Sequence, residues 1–246
     1  RSNLIPDSTK AEIRRLNAKK ALIVGGNTVV DANVEAPLRS LGINQIERLG
    51  GSDRYATSLK IAQYIDANLY DIENIVVSNG LGEADALSIA AVAGRDRMPI
   101  ILTRVDKLND DIYNWLKGEA LNNAYIIGGT TVVSNNLLNS VNGITATDIS
   151  VNRLGGANRY DTNAMVIERF YGSNLNKVYA SKGLVLVDAL SSGPIAALNG
   201  GAVVLCNYDL SNSQKNILSV KTANTVYQAG GGIPVNAINS LRTALK

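Results

Sequence analysis

Ten residues of this chain, Arg48-Leu49-Gly50-Gly51-Ser52-Asp53-Arg54-Tyr55-Ala56-Thr57, recur 105 positions later as Arg153-Leu154-Gly155-Gly156-Ala157-Asn158-Arg159-Tyr160-Asp161-Thr162, with seven of ten identical. An internal period of this length limits the fold to a string of similar supersecondary units. The landmarks that follow keep their order. Asp85-Ala86-Leu87-Ser88 is answered by Asp188-Ala189-Leu190-Ser191, and Pro99-Ile100-Ile101-Leu102 by Ala202-Val203-Val204-Leu205. The end of the period occurs three times, at Ile23-Val24-Gly25-Gly26, at Ile126-Ile127-Gly128-Gly129 and, more weakly, at Gln228-Ala229-Gly230-Gly231. The chain therefore reads as the second half of a first repeat over 1–42, a complete second repeat over 43–145, and a complete but divergent third over 146–246. Half of an α/β unit leaves a raw sheet edge and an open core face. The expectation is a fragment of a larger polypeptide, or a first repeat completed by another chain.

Within one copy, strand and helix alternate. Residues 43–49 read as a short strand closed by Gly50-Gly51. Ser52 or Asp53 can cap a helix over 54–65, whose apolar positions Leu59, Ile61, Ala62 and Ile65 fit a 3.6 period. Residues 74–78 and 99–103 are continuous apolar strands, as a sheet covered on both faces requires. An Ala-rich helix over 84–93 lies between them, and helix (110–116), strand (124–127) and helix (135–141) complete the copy. This order predicts an α/β fold of tandem Rossmann-like lobes with mainly parallel sheets, each lobe separate from the next.

Composition removes several chemistries. There is no histidine, so no Ser-His or Cys-His nucleophile pair exists and the commonest metal ligand is missing. The one cysteine, Cys206, follows the apolar run Ala202-Val203-Val204-Leu205 and reads as a buried thiol. No catalytic residue, metal site or cofactor is expected within the chain. Twenty-four Lys and Arg against 21 acids give a net charge of +3, too little for a nucleic-acid binder but compatible with a local basic patch meeting an anionic polymer. No apolar run approaches the roughly 20 residues of a membrane span.

The repeated positions carry the binding candidates. The Gly-Gly pairs follow a strand and precede a helix, where backbone N–H groups can face a phosphate. Glycines of a tight turn are the alternative. Arg48, Arg54, Arg153 and Arg159 recur in register around a Gly-Gly turn, placed to clamp phosphate or to pair with Asp85 or Asp188 as scaffolding. Tyr55 and Tyr160 read as packing residues. Asp53 is replaced by Asn158 in the next copy, which speaks against an acid catalyst. Pro99, Ile100, Ile101 and Leu102 read from composition as a core strand.

Together the Arg-Leu-Gly-Gly-Ser-Asp-Arg-Tyr-Ala-Thr run, the Asp-Ala-Leu-Ser helix, the Pro-Ile-Ile-Leu strand and the Ile-Ile-Gly-Gly-Thr end resemble cell wall binding repeat 2, the anchoring module of clostridial cell wall and surface-layer proteins. The resemblance implies three Rossmann- or Toprim-like lobes in pseudo-threefold arrangement when complete. It implies export to the cell wall or surface layer, fusion to a variable region, and non-covalent attachment to an anionic, teichoic-acid-like secondary wall polymer. It also ties the strand Pro99, Ile100, Ile101 and Leu102 to that attachment; the last copy has Ala202 where this one has Pro99. Alternative readings are a surface-layer subunit that contacts other surface-layer proteins, and the anchor of a wall hydrolase or protease whose catalytic part lies outside the chain.

Overall fold

The computed structural model describes residues 4–246, which divide into two compact units, 4–70 and 71–246. The first contains α1 (Asp7–Leu16), β1 (Lys20–Val24), a 3-10 turn at Ala32–Val34, α2 (Glu35–Ser40), β2 (Gln45–Leu49) and α3 (Arg54–Asn68). β1 and β2 pair in parallel, Lys20 opposite Gln45 through Val24 opposite Leu49. One cluster of its buried residues is Ile23, Val34, Leu38 and Ile43, flanked by Ile13, Ala21, Val30 and Ile46, and Leu49, Tyr55, Leu59 and Ala62 are buried as well. Asp53 caps α3, its Oδ1 accepting the Ala56 N–H at 2.8 Å, as the sequence predicts.

The second unit holds two sheets. The first is built from β3 (Asn74–Asn79), α4 (Glu83–Arg95), β4 (Ile100–Thr103), α5 (Asp110–Gly118), β5 (Asn123–Ile127), α6 (Asn135–Asn142) and β6 (Arg153–Leu154), in the order β4-β3-β5-β6. The next consists of α7 (Arg159–Phe170), β7 (Lys177–Lys182), α8 (Val187–Leu198), β8 (Ala202–Cys206), α9 (Asn212–Leu218), β9 (Thr225–Gln228) and α10 (Val235–Ala244), in the order β8-β7-β9. Every strand pairing is parallel. Three separate parallel sheets with interleaved helices are the α/β lobes that the alternation of elements predicts.

One apolar core runs through the second unit, joining Val76, Ile89, Ile127 and Leu154 to Val166, Val178, Val204 and Leu241. The Ala-rich helices α4 and α8 pack on each other through small residues: a Cβ on Gly94 would lie 3.0 Å from that of Ala197, and one on Gly193 3.5 Å from that of Ala90. Pro99 sits buried just ahead of β4, where its carbonyl accepts the Val76 N–H at 3.0 Å and its missing donor leaves no gap.

Sequence period and sheet membership are out of phase. The strand that opens each sequence copy does not join the sheet of the copy it opens. β2 extends the sheet of β1, and β6 extends the sheet of β5. The helix after β6, α7, packs on β8 and α9 of its own copy and on α4 of the copy before it. A buried amide fixes it there. Asn163 donates to the Val203 carbonyl at 3.0 Å, and its Oδ1 accepts from Leu205 N–H and from Gln214 Nε2, both at 3.1 Å.

Candidate functional site

The Gly-Gly runs meet each other. Gly25 and Gly128 adopt φ of +117° and +123°, a region that favours glycine. Each donates its N–H to the strand laid beside it: Gly25 to Leu49 O and Gly128 to Leu154 O, both at 2.8 Å. A Cβ on Gly50 would collide with the backbone of Gly25 and Gly26, and one on Gly155 with that of Gly128 and Gly129. These first glycines of Arg-Leu-Gly-Gly are thus required by backbone-on-backbone packing of two turns. Gly51 and Gly156 are equally constrained, by Ala56 and Asp161.

The arginines that open the two runs lock the same contact. Arg48 Nη1 donates to Gly25 O at 3.1 Å and Val30 O at 2.8 Å, and its Nη2 pairs with Glu35 at 3.0 Å. Arg153 Nη1 donates to Gly128 O at 2.9 Å and Val133 O at 2.7 Å, with Nη2 on Ser134 O and Asn135 Oδ1. Sequence reasoning offered Asp85 or Asp188 as scaffold partners. Arg153 instead satisfies turn carbonyls, because its strand lies on the sheet that carries the turn.

A cleft of about 390 Å³ opens beside this lock in the second unit. Its walls are the N-terminal turns of α4 and α7, the Gly129–Val132 loop, and Leu184 and Leu186 from the loop after β7. This is the carboxyl end of β3 and β5, where the chain crosses from one side of β3 to the other and open parallel sheets bind ligands. Arg159 stands in the cleft wall and donates to Gly183 O at 2.7 Å. Asp85 also lines the cleft. Burial raises its pKa above the ordinary carboxylate value, against the lowering effects of a Thr162 hydrogen bond and the nearby Arg159 charge. Gly129 also lines the cleft, and a Cβ there would meet nothing within 4 Å.

An apolar groove of about 450 Å³ shares Glu83 and Leu186 with this cleft and is otherwise lined by Asn79, Gly80, Ala86, Leu87, Leu102, Val187 and Leu190. Of the Pro-Ile-Ile-Leu strand, Pro99 and Ile101 are buried, whereas Ile100 and Leu102 are half-buried and Leu102 reaches the groove. Arg54 opens α3 on the surface of the first unit. Tyr55 is buried and Tyr160 half-buried, its ring seated where a Cβ on Gly183 would collide with it. Asn158 takes over the capping role of Asp53, its Oδ1 accepting Tyr160 N–H at 2.9 Å and Asp161 N–H at 3.1 Å. Both residues cap, which explains the exchange of Asp for Asn. Burial pushes the Cys206 thiol up to about 12, so it is no nucleophile at neutral pH. Among the described residues no helix is long and apolar enough to cross a membrane.

Sequence reasoning missed Glu83, Leu186 and Thr162 as cleft residues. Thr162 was within reach: it closes the repeated run, and like Thr57 it receives a glycine N–H, Gly156 at 3.1 Å as Gly51 does at 3.0 Å. Leu186 has no counterpart in the shared motifs and gave no signal.

Comparison with known proteins agrees with this architecture. Across 99% of its length the chain superposes on Cwp6 from Clostridium difficile with a TM-score of 0.94 and 37% identity, covering 39% of that chain. For Cwp8 from Clostridium difficile the TM-score is 0.85 and the identity 35%, covering 98% of this chain and 41% of that one. The N-acetylmuramoyl-L-alanine amidase LytC of Bacillus subtilis (strain 168) is 28% identical over 221 residues, 89% of this chain and 42% of that protein. The amidase enhancer of the same organism is 29% identical over 202 residues, 82% of this chain and 26% of that protein. The chain thus spans less than half the length of each of these proteins. The family model for cell wall binding domain 2 matches residues 48–138 and 153–237, more than half of the chain, which therefore belongs to the cell wall binding domain 2 (CWB2) family.

Proposed function

We propose that this chain holds a secreted protein at the bacterial surface non-covalently, by binding an anionic, teichoic-acid-like secondary wall polymer in the cleft at the N-termini of α4 and α7. The observation that carries the reading is the convergence there of the Arg159 guanidinium, the open Gly129 backbone and two helix N-termini, all favourable to phosphate. Glu83 and Asp85, which also line the cleft, accept hydrogen bonds from sugar hydroxyls, which suits a glycosyl phosphate chain better than a free anion. Arg54 is the matching cation of the first unit, and linked weak sites add avidity. Arg48 and Arg153 act by holding the turns in shape. Leu102, with Ile100 beside it, contacts the polymer from the adjoining groove, and Pro99 and Ile101 set the position of that strand.

Retention on isolated walls tests this reading. The Arg54→Ala plus Arg159→Ala double variant is expected to lose retention at least about tenfold while keeping its circular dichroism. Undiminished retention by the folded variant would sink it. A cargo acting on peptidoglycan is the second reading, favoured by the amidase relative. Zymography of a protein that carries this module tests it, with the absence of a clearing band counting against.

A further inference from the structure

We propose that the groove between α9 and α10 is a binding site for a neutral sugar, one or two pyranose rings of a glycan, separate from the cleft at α4 and α7. The groove encloses about 680 Å³, inside the range of roughly 300–1,000 Å³ usual for small-molecule sites. It shares no lining residue with that cleft. The two helices present polar stripes to it at helical spacing. Asn236, Asn239, Ser240 and Thr243 follow one another along one face of α10, while Ala237, Ile238 and Leu241 face the core. On α9, Lys215, Asn216 and Ser219 line the groove, and Gln214 and Leu218 are buried.

The chemistry of these stripes selects the ligand. Among the described residues, the side chains of Asn216, Asn236, Asn239 and Thr243 make no hydrogen bond within the chain. Three primary amides and a hydroxyl, all uncommitted, offer donors and acceptors side by side, which matches sugar hydroxyls that each donate and accept. Charge in the groove is already neutralised. Asp209 Oδ2 accepts from Lys215 Nζ at 2.6 Å, its Oδ1 accepts the Leu210 N–H at 2.7 Å, and the Ser240 hydroxyl donates to the same carboxylate. The paired ions leave no net charge to draw a phosphate. They also tie the loop after β8 to both helices, so the groove is held in shape before a ligand arrives.

Tyr208 completes the wall. Its side chain is 68% exposed at the edge of an otherwise polar groove. A phenol ring in that position gives the apolar C–H face of a pyranose a surface to pack on and keeps a hydroxyl for hydrogen bonding. The second lobe supplies a contrast. α6 carries the same stripe as Asn136, Asn139 and Ser140, but there the Ser140 hydroxyl turns back to the Asn136 carbonyl at 3.0 Å. Val105 stands where Tyr208 does, each three residues after the matched leucine, Leu102 or Leu205. The third lobe adds the ring and draws Ser240 toward the groove through Asp209.

The test is titration of the isotope-labelled intact chain, followed by NMR of its side-chain amides. The probes are a trimer of N-acetylglucosamine, a trimer of glucose and, as the anionic control, glycerol phosphate. Saturable shifts of the Asn216, Asn236 and Asn239 amides are expected with at least one of the two sugars, at a dissociation constant on the order of 1 mM. Tyr208→Ala and Asn239→Ala, both at exposed positions that leave folding intact, should each weaken the sugar at least about fivefold. Arg159→Ala should leave it unchanged, which separates this site from the polymer cleft. Three results would overturn the proposal: no shift of these amides by about 20 mM of either sugar, equal or larger shifts with glycerol phosphate, or undiminished sugar binding by Tyr208→Ala.

Discussion

Gly155 and Gly129 are neighbours in space with opposite constraints. A side chain on Gly155 would strike the backbone of the facing turn, whereas one on Gly129 would enter open space in the cleft. Gly155→Ala should therefore lower unfolding free energy by about 2 kcal/mol or more in urea denaturation, the scale of overpacking that rigid backbone cannot relieve. Gly129→Ala should leave stability within about 1 kcal/mol and instead reduce retention on walls, since the added methyl stands where the polymer would approach the backbone. Asp85 gives a pH signature. Folded Asp85 keeps its proton to higher pH than the unfolded chain does, because burial raises its pKa. Its contribution to stability is therefore greatest below the ordinary carboxylate range and falls as pH rises through that range toward the raised folded value. Asp85→Asn should melt higher than the parent at pH 7, with the gap closing below about pH 4. A gap that widens in acid would contradict this assignment.

At the scale of elements, sequence period and hydrophobic pattern made most of the fold legible. The continuous runs at 74–78 and 124–127 became buried central strands, and Asp53 and Asn158 began their helices as capping residues do. What could not be read was the partner of the opening strand. Arg48-Leu49 and Arg153-Leu154 carry no mark of which sheet they join, because a two-residue apolar-polar alternation suits any edge. The roles of Arg153 and Gly155 stayed open for the same reason, since both follow from that pairing. Asn163 was overlooked because a lone amide on a helix looks like surface. It is fully buried and joins α7, β8 and α9. Asn163→Ala leaves Leu205 N–H and Val203 O without their partner, and should cost about 2–4 kcal/mol in chemical denaturation.

Taken as a whole molecule, the two compact units differ in how much core they own. Among the described residues the first has eight buried apolar side chains, Ile23, Val34, Leu38, Ile43, Leu49, Tyr55, Leu59 and Ala62, and a two-stranded sheet. The second shares one extended cluster between its two sheets. Local opening follows buried apolar contact, so amides of β1 and β2 should exchange at least about tenfold faster than those of β3, β5 and β7. Equal protection across both units would show that the first is supported by more than its own core. The recurrence of the Arg-Leu-Gly-Gly run at 48–51 and 153–156 was plain from the sequence. Which residues share a cleft was not, since the cleft gathers Asp85, Gly129, Arg159 and Leu186 from two sequence copies.

Under the proposed function the chain carries tension, and the seating of β6 on β5 fixes how that tension crosses from one lobe to the next. Force entering at the start of β5 and leaving at the end of β6 slides two parallel neighbours lengthwise. Their hydrogen bonds, the interlocked glycine turns and the Arg153 clamp are then loaded together rather than peeled one at a time. The junction between copies, the place where a tandem protein is ordinarily weakest, is thereby built as a mechanical shear joint.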